Sequence, residues 1–253
     1  NEIVGLSYDD KGEPICQFNM SDAEKFGLLK MDFLGLATLG IIKETCRLLG
    51  KSYYDMENIP INDDKTYEAF AAGDTHGIFQ FESEGMKKLL RRIVPNKLSD
   101  IAAANALYRP GPLTAGLADA FAKNKHATVP EYFIPEFKTL LEETYGVFVY
   151  QEQVMLVAQT LAGFTLSKAD ILRKAIGKKD KSLMQTLEKE FVEGAISRGY
   201  DSDQMNKLWK QIVGFADYCF NKSHAYAYSV IAYWTMYLKI HHPKEFAVAL
   251  LSA

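Results

Sequence analysis

The spacing of apolar residues changes near residue 50 of this 253-residue chain. Within residues 1–33, the segments IVGLSY and PICQFN flank DDKGE, which has the composition of a hairpin turn. In GLLKMDFLGL, apolar residues alternate with Lys30 and Asp32, so a strand there places both polar side chains on one face. Helical spacing follows from Leu39 to Leu49, and Gly50 is expected to end that helix.

Beyond residue 50, apolar residues recur every three or four positions, which is typical of amphipathic helices. The expected N-caps are Ser83, Ser99, Ser167, Ser202 and Asn221 or Ser223, and the expected helix ends include Gly163, Gly177 and Pro243. No fixed-period repeat is present, which argues against a solenoid. The pattern therefore predicts an α+β fold that is mainly α, with a small β-containing segment followed by an all-helical domain.

The composition is that of an ordinary globular protein, with 48% apolar and 24% charged residues and a net charge of −3. Basic residues are nevertheless concentrated in two runs. Residues 86–99 hold five and no acid, and residues 173–181 hold five with Asp180 as the one acid. Such runs can bind phosphate at a defined place, and the alternative is that they are solvated helix faces.

The three cysteines, Cys16, Cys46 and Cys219, are far apart and form no metal-binding motif, which argues against structural zinc. Their sparse number suits a reducing compartment. No apolar run reaches the length of about 18 residues that a membrane span needs, and no signal peptide is recognisable. These features predict a cytoplasmic protein without a membrane span. Because it starts at Asn1 without an initiator methionine, the chain is expected to be a piece of a longer protein.

Asp32 is a candidate magnesium ligand, because a carboxylate on the polar face of an apolar strand can bind a hard cation. One aspartate does not make a two-metal site, which needs several converging carboxylates. The alternative is that Asp32 forms a salt bridge with Lys30 or with a neighbouring helix.

Two basic segments are candidate phosphate sites. In YRPGP, two prolines fix φ and a glycine permits an otherwise strained angle, so the backbone that holds Arg109 is stiff, which suits bidentate phosphate binding. The alternative is a plain helix stop with an exposed arginine. In LRKAIGKKDK, the apolar residues are expected to face inward and to leave cations outward for phosphate groups. Those cations are Arg173, Lys174, Lys178 and Lys179.

The segment FNKSH precedes a long aromatic run and is a third candidate. A helix that starts at Asn221 or Ser223 offers free N–H donors and a partial positive charge to an anion. Lys222 and His224 add charge or donors at the same end. The alternative is a capped core helix whose lysine is only solvated. The chain contains no Ser/His/Asp set, Walker loop or GxGxxG motif, so neither nucleophilic catalysis nor a Rossmann site is indicated.

Six segments in one order resemble the alpha subunit of bacterial DNA polymerase III, the C-family replicative polymerase. They are GLLKMDFLGLATL, GIFQFESEGM, ALYRPGPL, YGVFVYQEQVM, ADILRKAIGKK and FNKSHAYAYSVIAYWTMYLKIHHPKEF. The resemblance extends over nearly the whole chain. It implies that residues 1–50 are the last part of a palm domain and that residues 51–253 are a helical fingers domain.

The resemblance also implies roles for individual residues. Asp32 matches the third catalytic aspartate of the family, which binds Mg²⁺. The resemblance implies that the other two aspartates belong to an Asp-x-Asp motif upstream of this chain's start, so the chain by itself is expected to be inactive and not to hold the two ions. The fingers are expected to bind dNTP and DNA phosphates. The candidates for that binding are Arg109, Arg173, Lys174, Lys178, Lys179, Lys222, Ser223 and His224.

In the parent enzyme the resemblance implies nucleotidyl transfer from dNTP to a primer 3′-hydroxyl on template DNA, assisted by two Mg²⁺ ions. The implied partners are the sliding clamp, the clamp loader and the proofreading exonuclease, mostly through other regions. Two alternatives from different classes stay open. One is a non-catalytic helical module that binds DNA by charge, and the other is a protein-interaction scaffold whose basic runs are solvated.

Overall fold

The structure is a computed structural model that describes residues 3–29, 31, 35–128, 132–178, 180–216 and 218–253, with residues 178, 181 and 216 described by their backbone alone. The chain divides into two compact units, Asn1–Ala37 and Thr38–Ala253. The second unit therefore starts before residue 50, where the resemblance implied the boundary between palm and fingers. The assignment of those two domains stays a prediction.

The first unit contains an antiparallel hairpin of β1, Leu6–Tyr8, and β2, Pro14–Cys16. Its turn is stabilised by Asp9, whose Oδ1 accepts hydrogen bonds from the backbone N–H groups of residues 11 and 13 at 2.9 and 2.8 Å. Gly12 takes the left-handed conformation in this turn, with φ of 81°. The predicted hairpin is confirmed.

The hairpin is followed by a short helix, α1, Met20–Lys25, within the small segment that the sequence predicted to contain β structure. Asn19 caps the helix by accepting a hydrogen bond from the N–H of Asp22 at 3.0 Å. This local hydrogen bond stabilises a helical turn that the sequence analysis did not identify. The predicted strand around Lys30 and Asp32 falls on residues outside those that the structure describes.

Helices account for most of the second unit, as the sequence predicted. They are α2 Ala37–Leu48, α3 Asp64–Ala72, α4 Glu84–Ile93, α5 Leu98–Leu107, α6 Pro110–Thr114, α7 Leu117–His126, α8 Phe137–Leu140, α9 Gln151–Ala162, α10 Leu166–Lys178, α11 Lys181–Ile196, α12 Ser202–Ala216, α13 Lys222–His241 and α14 Pro243–Leu251. Short 3₁₀ turns occupy Tyr53–Asn58 and Glu142–Thr144.

Several helices begin or end at the residues that the sequence predicted as caps. Ser83 and Asn221 cap α4 and α13, and Gly163 ends α9 with φ of 70°. Other ends differ from the prediction. Helix α10 continues through Gly177, and α12 is capped by Asp201, whose carboxylate accepts from the N–H of residue 204 at 2.8 Å. Asp201 thus takes the N-cap position that was predicted for Ser202, because aspartate and serine side chains can both accept the capping hydrogen bond.

Two apolar cores hold the second unit together. In the first, α13 packs on α3 and α5, with Tyr233 and Met236 buried in the contact. In the second, α9 to α12 surround Trp209 and Phe191. A parallel bridge lies beside the first core, since Phe220 accepts from the N–H of residue 151 at 2.9 Å and donates to the carbonyl of residue 149 at 3.1 Å. The starts of α9 and α13 therefore lie side by side.

Replacing Gly194 with alanine is expected to destabilise the second core by about 1–3 kcal/mol, because a Cβ at this position would collide with the carbonyl oxygen of Ala162 on α9. A backbone carbonyl in a helix cannot rotate away from the added methyl group as a flexible side chain can. Gly214→Ala on α12 is the matched control, since a Cβ there meets nothing within 4 Å and the added helix propensity is expected to stabilise slightly. Thermal unfolding followed by circular dichroism distinguishes the two, and equal effects would contradict the close packing of α9 on α11.

Candidate functional site

Four polar residues that the sequence analysis identified lie at the start of α13, from Asn221 to His224. The bridge between residues 150 and 220 fixes the chain just before the helix. Asn221 then caps it, with its Oδ1 accepting from the N–H of His224 at 2.8 Å. The predicted cap is confirmed, with Asn221 rather than Ser223 in that position. Ser223 is exposed in the first helical turn.

A carboxylate of the same chain lies at the N-terminus of α13. Both oxygens of Glu152 accept from the backbone N–H of Lys222, at 3.1 and 3.2 Å. One of them also lies 3.3 Å from the amide nitrogen of Asn221. The free N–H donors and partial positive charge of the helix end attract an anion, and here Glu152 provides it. The backbone N–H of Lys222, which was expected to bind a phosphate, therefore already donates to a carboxylate of the same chain.

The side chain of Lys222 also has an internal partner. Its ammonium lies 2.5 Å from an oxygen of Glu143, and the other oxygen accepts from the hydroxyl of Tyr226. Burial raises the pKa of that tyrosine above its ordinary value, with the Glu143 hydrogen bond adding to the shift. The ammonium lies 5.8 and 5.6 Å from the ring centroids of Tyr150 and Tyr226. A phosphate would have to compete with Glu143 for Lys222.

Arg109 is held differently, by neutral groups. Its Nε donates to the carbonyl of Ala106 at 2.8 Å and its Nη2 to the carbonyl of Tyr218 at 2.6 Å. The guanidinium stacks on Phe220, 4.5 Å from the ring centroid. Pro110 starts α6 directly after it, which fixes the corner. Burial lowers the pKa of Arg109 from its ordinary value. In the described part of the chain no carboxylate forms an ion pair with this guanidinium.

Arg109 and His224 line one cavity of about 300 Å³, together with Gln80, Met86, Asn105, Tyr108 and Phe220. The imidazole lies against Phe220 and Tyr228, with centroid distances of 5.4 and 4.4 Å. The Nδ2 of Asn105 is buried and donates to no partner among the described residues. A cavity that joins a guanidinium, an imidazole, a hydroxyl and amides, with no carboxylate among its described lining residues, suits an anionic ligand with polar edges.

Lys222, Arg173 and Lys174 are not among the described residues that line this cavity. Arg173 and Lys174 on α10 both pair with Asp170, at 2.8 Å each. Hydrogen bonds from Lys174 and then Arg173 hold the pKa of Asp170 below its usual value. The side chains of Lys178 and Lys179 are outside the described residues. The structure therefore brings Arg109 and His224 together, and it places Arg173 and Lys174 in a separate ion-pair cluster.

Sequence reasoning missed the uncharged members of the cavity. Asn105 is the one polar residue of the run IAAANAL in α5, and a lone amide in an apolar helix face is a recognisable pattern. Gln80 has a left-handed backbone, with φ of 66°, which is unusual for a residue other than glycine. Tyr108 reaches over Gly85, where any Cβ would collide with its hydroxyl. Neither of these last two features is visible without coordinates.

The structure leaves the expected metal chemistry untested, because Asp32 lies outside the described residues. Within the described ranges, no group of three or more His, Cys, Asp and Glu side chains could hold a metal ion. The described helices also include none that is long and apolar enough to cross a membrane.

Comparison with known proteins decides the family. Residues 38–199 match the profile described as the bacterial DNA polymerase III alpha subunit finger domain. The chain belongs to this finger-domain family. Its match starts with the second compact unit and includes Arg109 and Arg173, while α13 and His224 lie beyond the matched residues.

Curated relatives extend the likeness of this finger domain to the whole chain. The DNA polymerase III subunit alpha of Aquifex aeolicus (strain VF5) is 48% identical over 256 residues, which include all of this chain and 22% of that protein. Those of Campylobacter jejuni subsp. jejuni (serotype O:2) and Bacillus subtilis (strain 168) are 44% and 43% identical over 98% and 100% of this chain. The chain thus spans about a fifth of the length of these relatives.

Proposed function

We propose that this chain is the nucleotide-binding part of a bacterial replicative DNA polymerase, with the fingers in residues 51–253 and the end of the palm in residues 1–50. The family of residues 38–199 and the names of the relatives support a polymerase over a scaffold or a non-catalytic DNA-binding module. The observation that carries the proposal is the cavity in which Arg109 and His224 converge without a carboxylate.

The cavity is proposed to take the triphosphate of the incoming dNTP. Two N–H groups of Arg109 are used by the carbonyls of Ala106 and Tyr218, which leaves its other donors free for a phosphate oxygen. Because those carbonyls already fix the guanidinium, binding costs it little conformational entropy. Positive charge that is oriented beforehand also stabilises the charge that develops on phosphoryl oxygens during transfer.

The other polar and aromatic groups of the cavity are proposed to orient the nucleotide. His224 stands in the first turn of α13, where its imidazole can donate to a phosphate oxygen. The buried amide nitrogen of Asn105 has no described partner, and an acceptor on the sugar or base would satisfy it. Phe220 and Tyr108 supply aromatic surface at the same place.

Asp32 is proposed to be one of the carboxylates that bind Mg²⁺ in the complete active site. When bound, two such ions stabilise the attacking 3′-oxygen and the leaving pyrophosphate oxygen. The remaining carboxylates have to come from elsewhere in the polymerase. Lys178, Lys179, Arg173, Lys174, Ser223 and Lys222 stay predicted phosphate ligands. The cytoplasmic location and the contacts with a sliding clamp, clamp loader and exonuclease also stay predictions.

In a full-length alpha subunit that carries this sequence, His224→Ala is expected to lower kcat/KM for dNTP roughly 10- to 100-fold, since a hydrogen bond to a charged group contributes about 1.5–3 kcal/mol. The affinity for primer–template DNA should stay the same. His224→Gln keeps a donor and should restore part of the loss. His76→Ala, an exposed histidine that does not line the cavity, is the matched control.

Steady-state kinetics at saturating primer–template DNA measure these constants. Arg109→Lys is expected to lower kcat/KM in the same way, because lysine cannot reproduce the planar fork. If both variants keep the parent values of kcat and KM, the cavity does not bind the triphosphate.

A further inference from the structure

The C-terminal turn of α4 lies against α7 from its first turn to its last, although the two helices are not consecutive in sequence. Arg92 on α4 forms an ion pair with Asp119 on α7 at 2.5 Å. The carbonyl of Arg92 lies 3.0 Å from Nε2 of His126. These residues and Lys123 border a shallow open hollow. The contact joins the first basic run of the sequence, residues 86–99, to the basic end of α7.

We define the α4–α7 basic surface as five exposed cations on α4, on the segment after it and on α7, together with the exposed carboxylate of Asp119. The cations are Lys88, Arg91, Arg92, Lys97 and Lys123. Arg92 is balanced by Asp119, which is why that carboxylate is counted with the surface, and two nearby lysines that are left out are also balanced by carboxylates. Lys87 pairs with Glu84 at 2.8 Å, and Lys125 is buried against Asp100 at 2.6 Å. The surface therefore carries a clear excess of positive charge on a chain whose net charge is −3.

Neutral groups hold two of these cations in place without reducing their charge. The Nε of Arg91 donates to the carbonyl of Ala72 at 2.9 Å. The ammonium of Lys97 lies 4.9 Å from the ring centroid of Tyr145. This differs from Lys222, Arg173 and Lys174, whose charges are balanced by carboxylates of the same unit. Charges that are positioned but unbalanced are suited to an external polyanion.

The chemistry of the surface favours a nucleic acid over a protein partner. Between Glu84 and Ser99 the one exposed large apolar side chain is Val94, and protein interfaces depend on buried aromatic and apolar anchors. An open hollow cannot enclose a small anion, whereas a phosphate backbone can lie across it and contact several cations at once.

We infer that the α4–α7 basic surface binds the phosphate backbone of duplex DNA while the polymerase acts on its primer end. This inference rests on the proposed function, because a polymerase has to hold its duplex product. It assigns a role to the first basic run, which neither the nucleotide cavity nor the ion pairs of α10 include.

The test is the salt dependence of duplex binding by a full-length alpha subunit that carries this sequence. The triple variant Lys88→Gln, Arg92→Gln, Lys123→Gln is expected to bind at least about tenfold more weakly at 0.1 M salt. The slope of log K against log salt should shrink by roughly 3, about 0.9 for each phosphate that the variant no longer neutralises. Steady-state constants for dNTP at saturating DNA should stay unchanged.

Two further variants sharpen the result. Asp119→Asn removes the carboxylate that balances Arg92, so duplex affinity should rise a few-fold. The triple variant Lys189→Gln, Lys207→Gln, Lys210→Gln makes the same change of net charge on exposed lysines of α11 and α12, and it should leave the slope near the parent value.

Equal slopes for the α4–α7 variant and the parent, or equal losses for the two triple variants, would overturn the inference. So would a loss confined to single-stranded DNA, since duplex binding is what is inferred. Because dNTP kinetics are measured separately, each of these results would leave the proposed nucleotide cavity intact. Failure of the His224 and Arg109 variants would leave the duplex measurement interpretable.

Discussion

Primer extension is expected to fall at least about a thousand-fold when Asp32 is replaced with asparagine in a full-length alpha subunit, since a catalytic metal supplies several kcal/mol. The resemblance of KMDFLGL to the family implies that Asp32 is its third catalytic aspartate. Asparagine keeps the shape of the side chain but loses the charge that Mg²⁺ requires. Single-turnover extension at saturating dNTP measures the loss. Primer–template affinity should be nearly unchanged.

Asp10→Asn is the matched control for this prediction. It makes the same substitution in the same compact unit, at an exposed turn of the hairpin between β1 and β2. Its extension rate should equal that of the parent. Extension retained by Asp32→Asn would contradict both the metal-binding role and the resemblance on which it depends.

The second large effect is expected at Asp100, whose replacement with asparagine should destabilise the helical unit by about 3–5 kcal/mol. The carboxylate is fully buried and accepts from Lys125 at 2.6 Å, Tyr145 at 3.0 Å and the N–H of Asn96 at 3.1 Å. Lys125 also donates to the carbonyl of Val94 at 2.6 Å, so the pair joins the ends of α4 and α7 to the start of α5. Asparagine would leave a buried ammonium without a counter-charge.

Thermal unfolding measures this loss, which corresponds to a fall in Tm of roughly 6–20 °C for a chain of this size. Asp119→Asn is the matched control, because it removes an exposed ion pair and should cost less than about 1 kcal/mol. The double variant Asp100→Leu, Lys125→Met replaces both charges with apolar groups and should recover most of the stability. An Asp100→Asn variant as stable as the control would show that the pair is not needed.

The same pair predicts how the deficit depends on pH. Burial lowers the pKa of Lys125 from its usual 10.5, and the hydrogen bond that its ammonium donates to Asp100 opposes that shift. A lysine with a lowered pKa in the folded state binds more protons when unfolded, so its contribution to stability rises as pH rises toward 10.5. Without Asp100 the pKa falls further. The stability deficit of Asp100→Asn relative to the parent should therefore be larger at pH 7 than near pH 10.

The sequence predicted those features that depend on neighbouring residues. The hairpin and the caps at Ser83 and Asn221 follow from local hydrogen bonds, and the structure has them. The ion pairs of Arg173 and Lys174, which the sequence analysis overlooked, are also local. Asp170 stands three and four residues before Arg173 and Lys174, which is the spacing of helical ion pairs, so their internal pairing was visible in the sequence.

Contacts between distant residues could not be predicted in this way. Glu143 lies 79 residues before Lys222, and Glu152 lies 70 residues before it, yet they occupy the ammonium and the helix end that seemed open to phosphate. The same holds for Tyr218, whose carbonyl orients Arg109 from 109 residues away. Spacing identified which residues could bind an anion, and tertiary packing determined which of them already have an internal partner.

The most direct test of the nucleotide cavity is a structure of a full-length alpha subunit that carries this sequence, with a 3′-deoxy-terminated primer–template and the matching dNTP. The proposal predicts phosphate oxygens of the dNTP within hydrogen-bond distance of the Arg109 guanidinium and the His224 imidazole, with Asn105 and Tyr108 bordering the same ligand. A triphosphate held by Arg173 and Lys174 instead, with the cavity at the start of α13 empty, would contradict it.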